Sequence, residues 1–311
     1  MARRKQKPER TSRVIGEMRH EVDAKAVCSD KEGLFRAVLK ASFVRTFDYV
    51  EHLHVNVKDE DTAEGFFSCA SLRQCCEDLI ALKFIGQLSR ADRDTVIQSL
   101  MVIATSSGIE KQLLFFRKSH PFQPVLSGEF PPGRLDQAKG ALTNVGQRTG
   151  FWNTQRKLPP IEQMARKVKL TALYDFLYAA TSEIVHFNVR IALRSGWGGK
   201  ESWRFSPSHM SRYYVMFGRC YGVYLFVKFS RAFARSLALS AKFMQSVNKL
   251  EVWLESQLRW PEIVTFEEMN QPHPGNIILY ATLQLLHRDR VQKLELRHRR
   301  RLKPPGTGVL P

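Results

Sequence analysis

Apolar residues in this chain recur at intervals of three and four, and alternating stretches of strand type are nearly absent, so each long segment can bury one face only as a helix. Proline and glycine cut the pattern at residues 121–133, at Pro159 and Pro160, at 196–199 and in 304–311. Proline ends or kinks a helix, and clustered glycine weakens one. The spacing predicts helices over 32–57, 63–88, 92–118, 135–147, 161–168, 170–194, 207–260 with breaks, and 276–301. The expected fold class is all-α, a multi-helix bundle with basic N- and C-terminal extensions. Residues 1–30 read as a basic extension, 31–270 as the helical core domain, and 271–311 as a basic helix with a Pro/Gly tail. No period of about 20–50 residues repeats, so a solenoid is not expected.

The most apolar window, 213–227, is interrupted by Arg219 and falls short of the ~20 residues a membrane span requires. It reads as a buried core helix, with no membrane span. The rings of the surrounding stretch, 212–235, have the spacing of a core rather than of a base-stacking surface. Five cysteines, an odd number without a Cys-x-x-Cys pair, indicate neither a disulfide framework nor a zinc ribbon. A reducing, cytoplasmic location follows, and no apolar stretch near Met1 resembles a secretory leader.

Lysine and arginine number 48 against 30 acids, a net charge of +18 that favours an anionic partner. The excess is concentrated at the ends: seven basic residues against two acids in 1–20, and eight against two in 288–303. Arg3, Arg4 and Lys5 at one end, and Arg297, Arg299, Arg300 and Arg301 at the other, are the candidate phosphate contacts, with RNA favoured over DNA. The alternative is that these ends are solvated tails.

Two segments place polar groups where polarity is costly. Arg73 and Glu77 share a helix sector with Ile80 and Phe84, so they are expected to satisfy each other or partners on a neighbouring helix. The segment 170–194 is apolar on nearly all sides and reads as a central, buried helix ended by Gly196 and Gly198. Along it Tyr174, Tyr178, Ser182 and His186 fall every four residues, a stripe of hydroxyls ending in the one group that titrates near neutral pH. His186, Arg73, Glu77, Ser182 and Tyr178 form the candidate catalytic set, with His186 as acid/base and Arg73 as stabiliser of phosphate charge. A purely structural packing role for the same groups stands beside it.

Glu-x-x-His occurs at Glu17/His20, Glu51/His54, Glu183/His186 and Glu295/His298, a spacing used by helical bundles that hold two metals. Glu51, His54, Glu183, His186 and Glu77 would supply five of six ligands and no sixth stands out, so a dinuclear metal protein ranks behind the other readings and no metal or cofactor is expected. Phosphate-cradling Gly-rich loops and a Gly-x-Ser-x-Gly elbow are absent from the sequence.

The stretch from Phe151 to Trp197 resembles the bacterial domain of unknown function 5677. The motifs are Arg73-x-x-x-Glu77, a proline-led segment ending in Met-Ala from Pro160 to Ala165, and Ser182-x-x-x-His186 on the tyrosine helix. The resemblance covers about residues 34–270 and implies a helical fold of prokaryotic or phage origin, without an activity. A looser likeness is to the helical proteins named for higher eukaryotes and prokaryotes nucleotide-binding (HEPN), many of which cut RNA with an arginine separated from a following histidine by four to six residues. Arg13/His20, Arg45/His52 and Arg204/His209 have such a spacing, in about the number chance predicts, and His186 lacks the arginine. The functional expectation is RNA binding or metal-independent cleavage in a bacterial defence or toxin setting. The alternative is a non-enzymatic interaction module, acting as a homo-oligomer or with a partner protein.

Overall fold

The structure is a computed structural model and describes residues 8–29, 31–57, 63–122, 133–152, 158–186, 188–198 and 203–265. Ten α-helices, one π-helical turn and one antiparallel pair of short strands make up the described elements, so the fold is all-α. The predicted helix 276–301 and the basic residues Arg3, Arg4, Lys5, Arg297, Arg299, Arg300 and Arg301 lie outside the described residues.

The middle of the fold is α9 (Ser211–Phe233), which buries residues on every side, among them Val215, Phe217, Phe226 and Phe229. Against it pack α2 (Leu34–Glu51), α3 (Glu64–Ile85) and α10 (Ala241–Ser256). Phe43 of α2 lies 5.7 Å from Phe226 and 5.9 Å from Phe243, centroid to centroid, which joins three helices in one aromatic contact set. The approach of α2 to α9 depends on Gly218. A Cβ there would fall 2.5 Å from Leu53 Cδ1 and 2.7 Å from the Tyr49 hydroxyl.

Arg219, the charge that interrupts the apolar window, has a structural task. After Glu51 the chain loosens into a π-turn (His52–Asn56), and turns of this kind leave backbone carbonyls without intrahelical partners. The Arg219 guanidinium donates to the Leu53 carbonyl at 2.7 Å and to the Val57 carbonyl at 2.9 Å.

Residues 8–26 form α1 (Pro8–Ala26), a helix absent from the sequence expectation, where this stretch was counted with the basic extension. Val14, Ile15, Met18 and Val22 are buried at helical spacing, and the helix packs on α2 and α10. Its Arg19 reaches three carboxylates, those of Asp23, Asp48 and Glu51. The first of these is on its own helix and the other two tie α1 to α2.

The segment 170–194 departs from expectation. It is not one central buried helix but α7 (Thr171–Val185) followed by a break and the short α8 (Val189–Arg194). At the break, Asn188 accepts a hydrogen bond from the Ile191 amide at 3.2 Å and starts the second helix. Gly196 and Gly198 do not close a helix either. They belong to β1 (Gly196–Gly198), which pairs antiparallel with β2 (Trp203–Phe205). The remaining helices, α4 (Arg90–Ser119), α5 (Arg134–Thr149) and α6 (Ile161–Lys167), cover the flank, α4 against α5 and α6 against α3.

Candidate functional site

Four of the five residues expected in a catalytic set meet where α3 packs on α7. Arg73 Nε donates to Glu77 Oε1 at 2.8 Å, one helical turn along α3. From α7, Ser182 Oγ accepts a longer 3.4 Å hydrogen bond from Arg73 Nη1. The guanidinium also lies over the Tyr178 ring, 4.5 Å from its centroid, with the Tyr174 ring next along the stripe, tilted against Tyr178 at 5.3 Å. Glu77 holds the Arg73 pKa above its ordinary value, chiefly through this hydrogen bond. Burial and the Tyr178 neighbour raise that of the Tyr174 hydroxyl.

This cluster sits at a rim rather than in the interior. The Arg73 and Glu77 side chains keep 27% and 31% of their surface, and Tyr178 is 39% exposed. The rim therefore presents an exposed aromatic ring beside a fixed cation. His186 stands apart. It caps the end of α7 with an extended backbone, its amide donates to the Ser182 carbonyl at 2.9 Å, and its side chain is exposed. Among the described residues its ring makes no hydrogen bond or ion pair with Arg73, Glu77 or Ser182.

A second constellation opens on the other side of α3, in a cavity of about 420 Å³ between that helix and α2. Arg45 and His52, one of the three chance-like Arg-to-His spacings, both line it. His52 Nε2 lies 2.8 Å from Glu64 Oε1, at the first turn of α3. Arg45 pairs with Asp78, whose carboxyl pKa is raised by burial even as Arg45 pulls it down. Ser68, Ser71 and Gln74 add hydroxyl and amide groups to the wall, and the Phe67 ring stands exposed at its mouth. Cys75 also lines this cavity, but burial pushes its thiol up to about 11 and that of Cys76 to about 12. Neither is a thiolate nucleophile near neutral pH. The sequence signal for this site was the Arg45/His52 spacing itself, which carries weight only once a cavity joins the two side chains.

The residues considered as metal ligands are dispersed. Glu51 is held by Arg19, Glu77 by Arg73 and Glu183 by Arg190. The His54 Nε2 lies 3.3 Å from the Arg219 carbonyl, and its ring lies edge-on to Trp253 at 5.3 Å. Among the described residues no three His, Cys, Asp or Glu side chains group as a metal set. Among them, too, no helix is long and apolar enough to cross a membrane.

The model of the Family of unknown function (DUF5677) matches residues 22–197, more than half of the chain. The match takes in Arg73, Glu77, Ser182 and His186 on one side of α3 and Arg45, His52 and Glu64 on the other. It begins inside α1 and stops before α9, where the sequence resemblance was expected to run from about 34 to 270. No curated protein and no solved structure matches the sequence.

Proposed function

The chain belongs to the Family of unknown function (DUF5677), and from that premise we propose that it binds RNA and cleaves it without a metal ion. One observation carries the reading: Arg45 and His52 face one cavity, with His52 held by Glu64. An imidazole whose Nε2–H is fixed by a carboxylate keeps Nδ1 free to take a proton. In the proposed step His52 Nδ1 removes the proton of a ribose 2′-hydroxyl, and that oxygen attacks the adjoining phosphorus. The bond to the 5′-oxygen breaks, this oxygen takes a proton from water, and a 2′,3′-cyclic phosphate remains. Arg45 keeps N–H donors beyond the one given to Asp78, and these stabilise the added negative charge on phosphorus.

The rim formed by Arg73, Tyr174 and Tyr178 would hold a flanking base by stacking. The +18 charge, weighted to both ends, would supply salt-sensitive phosphate contacts, including those of Arg3, Arg4, Lys5, Arg297, Arg299, Arg300 and Arg301. A bacterial defence or toxin setting, and the HEPN likeness, fit this chemistry as part of the same proposal.

Single-stranded RNA incubated with chelator should be cut by the wild-type chain and left intact by His52→Ala with unchanged helical circular dichroism. Loss of cleavage in His186→Ala alone would move the acid/base to the end of α7. Absence of cleavage by the wild type across RNA sequences would end the catalytic reading. A second reading, a self-associating interaction module, draws support from Met101, Leu114 and Phe115, each more than half exposed on α4. A dimer in sedimentation that dissociates on Phe115→Glu would favour it.

A further inference from the structure

One stripe of α3 runs along the Arg45/His52 cavity. Glu64, Phe67, Ser71, Gln74 and Asp78 follow at steps of three and four residues and so share a face of the helix. The acids at its two ends are taken by α2, Glu64 by His52 at 2.8 Å and Asp78 by Arg45. Between them stand Phe67, Ser71 and Gln74, all three lining the cavity and all exposed. Among the described residues neither the Ser71 hydroxyl nor the Gln74 amide makes a hydrogen bond.

These three side chains have the form of a reader of a flat ring. Phe67 keeps 63% of its surface, while Phe66, itself packed on Tyr214, meets it in a T-shaped contact at 5.4 Å. A ring anchored by one neighbour and otherwise open is a platform for stacking. Ser71 lies one helical turn from it and Gln74 two, about 10 Å along the axis. Helix side chains lean towards the N-terminus, so the Gln74 amide reaches back towards the ring. Tyr49 and Cys75, both buried, form the floor, and the space of about 420 Å³ above them falls within the ~300–1,000 Å³ usual for small-molecule sites.

We propose that this stripe reads one base of the RNA and that the base is adenine. The placement rests on the cleavage reading above, in which the ribose 2′-hydroxyl lies at His52 Nδ1 and the phosphate at Arg45. With the base stacked on Phe67, its edge away from the sugar faces Ser71 and Gln74. There adenine presents the N6 amino donor beside the N7 acceptor, a pair that one amide satisfies with its carbonyl and its NH₂. Guanine presents two acceptors, O6 and N7, and a pyrimidine has no N7 and a shorter ring. Ser71 Oγ accepts the second N6–H. The cut then falls on the 3′ side of adenosine.

The test is isothermal titration calorimetry of the full chain with the 3′-monophosphates of adenosine, guanosine, cytidine and uridine, none of which has a bond to cut. Adenosine 3′-monophosphate should bind about tenfold more tightly than the other three. Gln74→Ala should level the four affinities, and Phe67→Ala should weaken all of them about tenfold. Both positions are exposed, and helical circular dichroism checks that each variant folds. Equal affinities in the wild type, a preference for another base, or an adenine preference that survives Gln74→Ala overturns the proposal, as does the absence of binding at millimolar concentration. Cleavage is read apart, on RNA with a single adenosine in a run of uridines. Adenine preference without any cut ends the catalytic reading and leaves the base site standing; cuts without base preference do the reverse.

Discussion

Lowering the pH should destabilise this fold through His54 before its carboxylates come into play. Desolvation moves the His54 pKa down from 6.5 to about 3; the hydrogen bond to the Arg219 carbonyl opposes the shift and the nearby Arg219 charge adds to it. With the folded value below the unfolded one, the unfolded chain binds more protons between pH 6.5 and 3. The contribution is therefore complete above pH 6.5 and is lost as pH falls towards 3. Each pH unit in this window is worth 1.36 kcal/mol at full effect, so the loss on going to pH 5 has a ceiling of about 2 kcal/mol. Solvent still reaches part of the residue, and screening brings the expected loss to about 1–2 kcal/mol. The assay is urea denaturation at pH 7.5 and 5.0 of the wild type and His54→Gln, which does not titrate. Subtracting the two pH dependences cancels the contributions of other groups. An equal loss of stability in both proteins would refute the argument, and would mean that the imidazole protonates in place.

Two further outcomes follow from packing and burial. Gly218→Ala should cost about 2–3 kcal/mol in the same denaturation assay, because Leu53 and Tyr49 are both buried and have little room to withdraw; a change below ~0.5 kcal/mol would show that α2 can slide off α9 freely. Thiol titration with an aromatic disulfide at pH 8 should modify Cys28 rapidly and leave Cys69, Cys75, Cys76 and Cys220 until unfolding, since Cys28 alone is exposed and burial raises the other four; rapid reaction of a second thiol would contradict the packing of α3 on α9.

The all-α class was legible because periodicity reports which residues of a helix face away from water, and for most segments it also located the breaks. It failed where composition and local signals disagreed. In α1 the arginines dominate the composition, but Val14, Ile15, Met18 and Val22 keep the spacing of a buried face. In 170–194 neither proline nor glycine marks the interruption, and the signal was Asn188, a residue suited to start a helix. That segment is also apolar all round without being central. Hydropathy does not say which side a neighbour covers, and Tyr178, Val185 and Val189 remain exposed.

The candidate sites show the same division between what lies on one helix and what two helices share. Arg73 with Glu77 is an i,i+4 pair and was readable from sequence alone, whereas Ser182 joins it only through the packing of α7 on α3. Arg45 with His52 was indistinguishable from chance until Glu64, Ser71 and Gln74 closed a cavity around it. Both constellations use α3: Arg73 and Glu77 towards α7, and Ser71 and Gln74 towards α2. The register of α3 is tied to α9 at Gly65, where a Cβ would fall 2.6 Å from Val215 Cγ2. A side chain at position 65 should therefore disturb both constellations at once, which no substitution within either one would do.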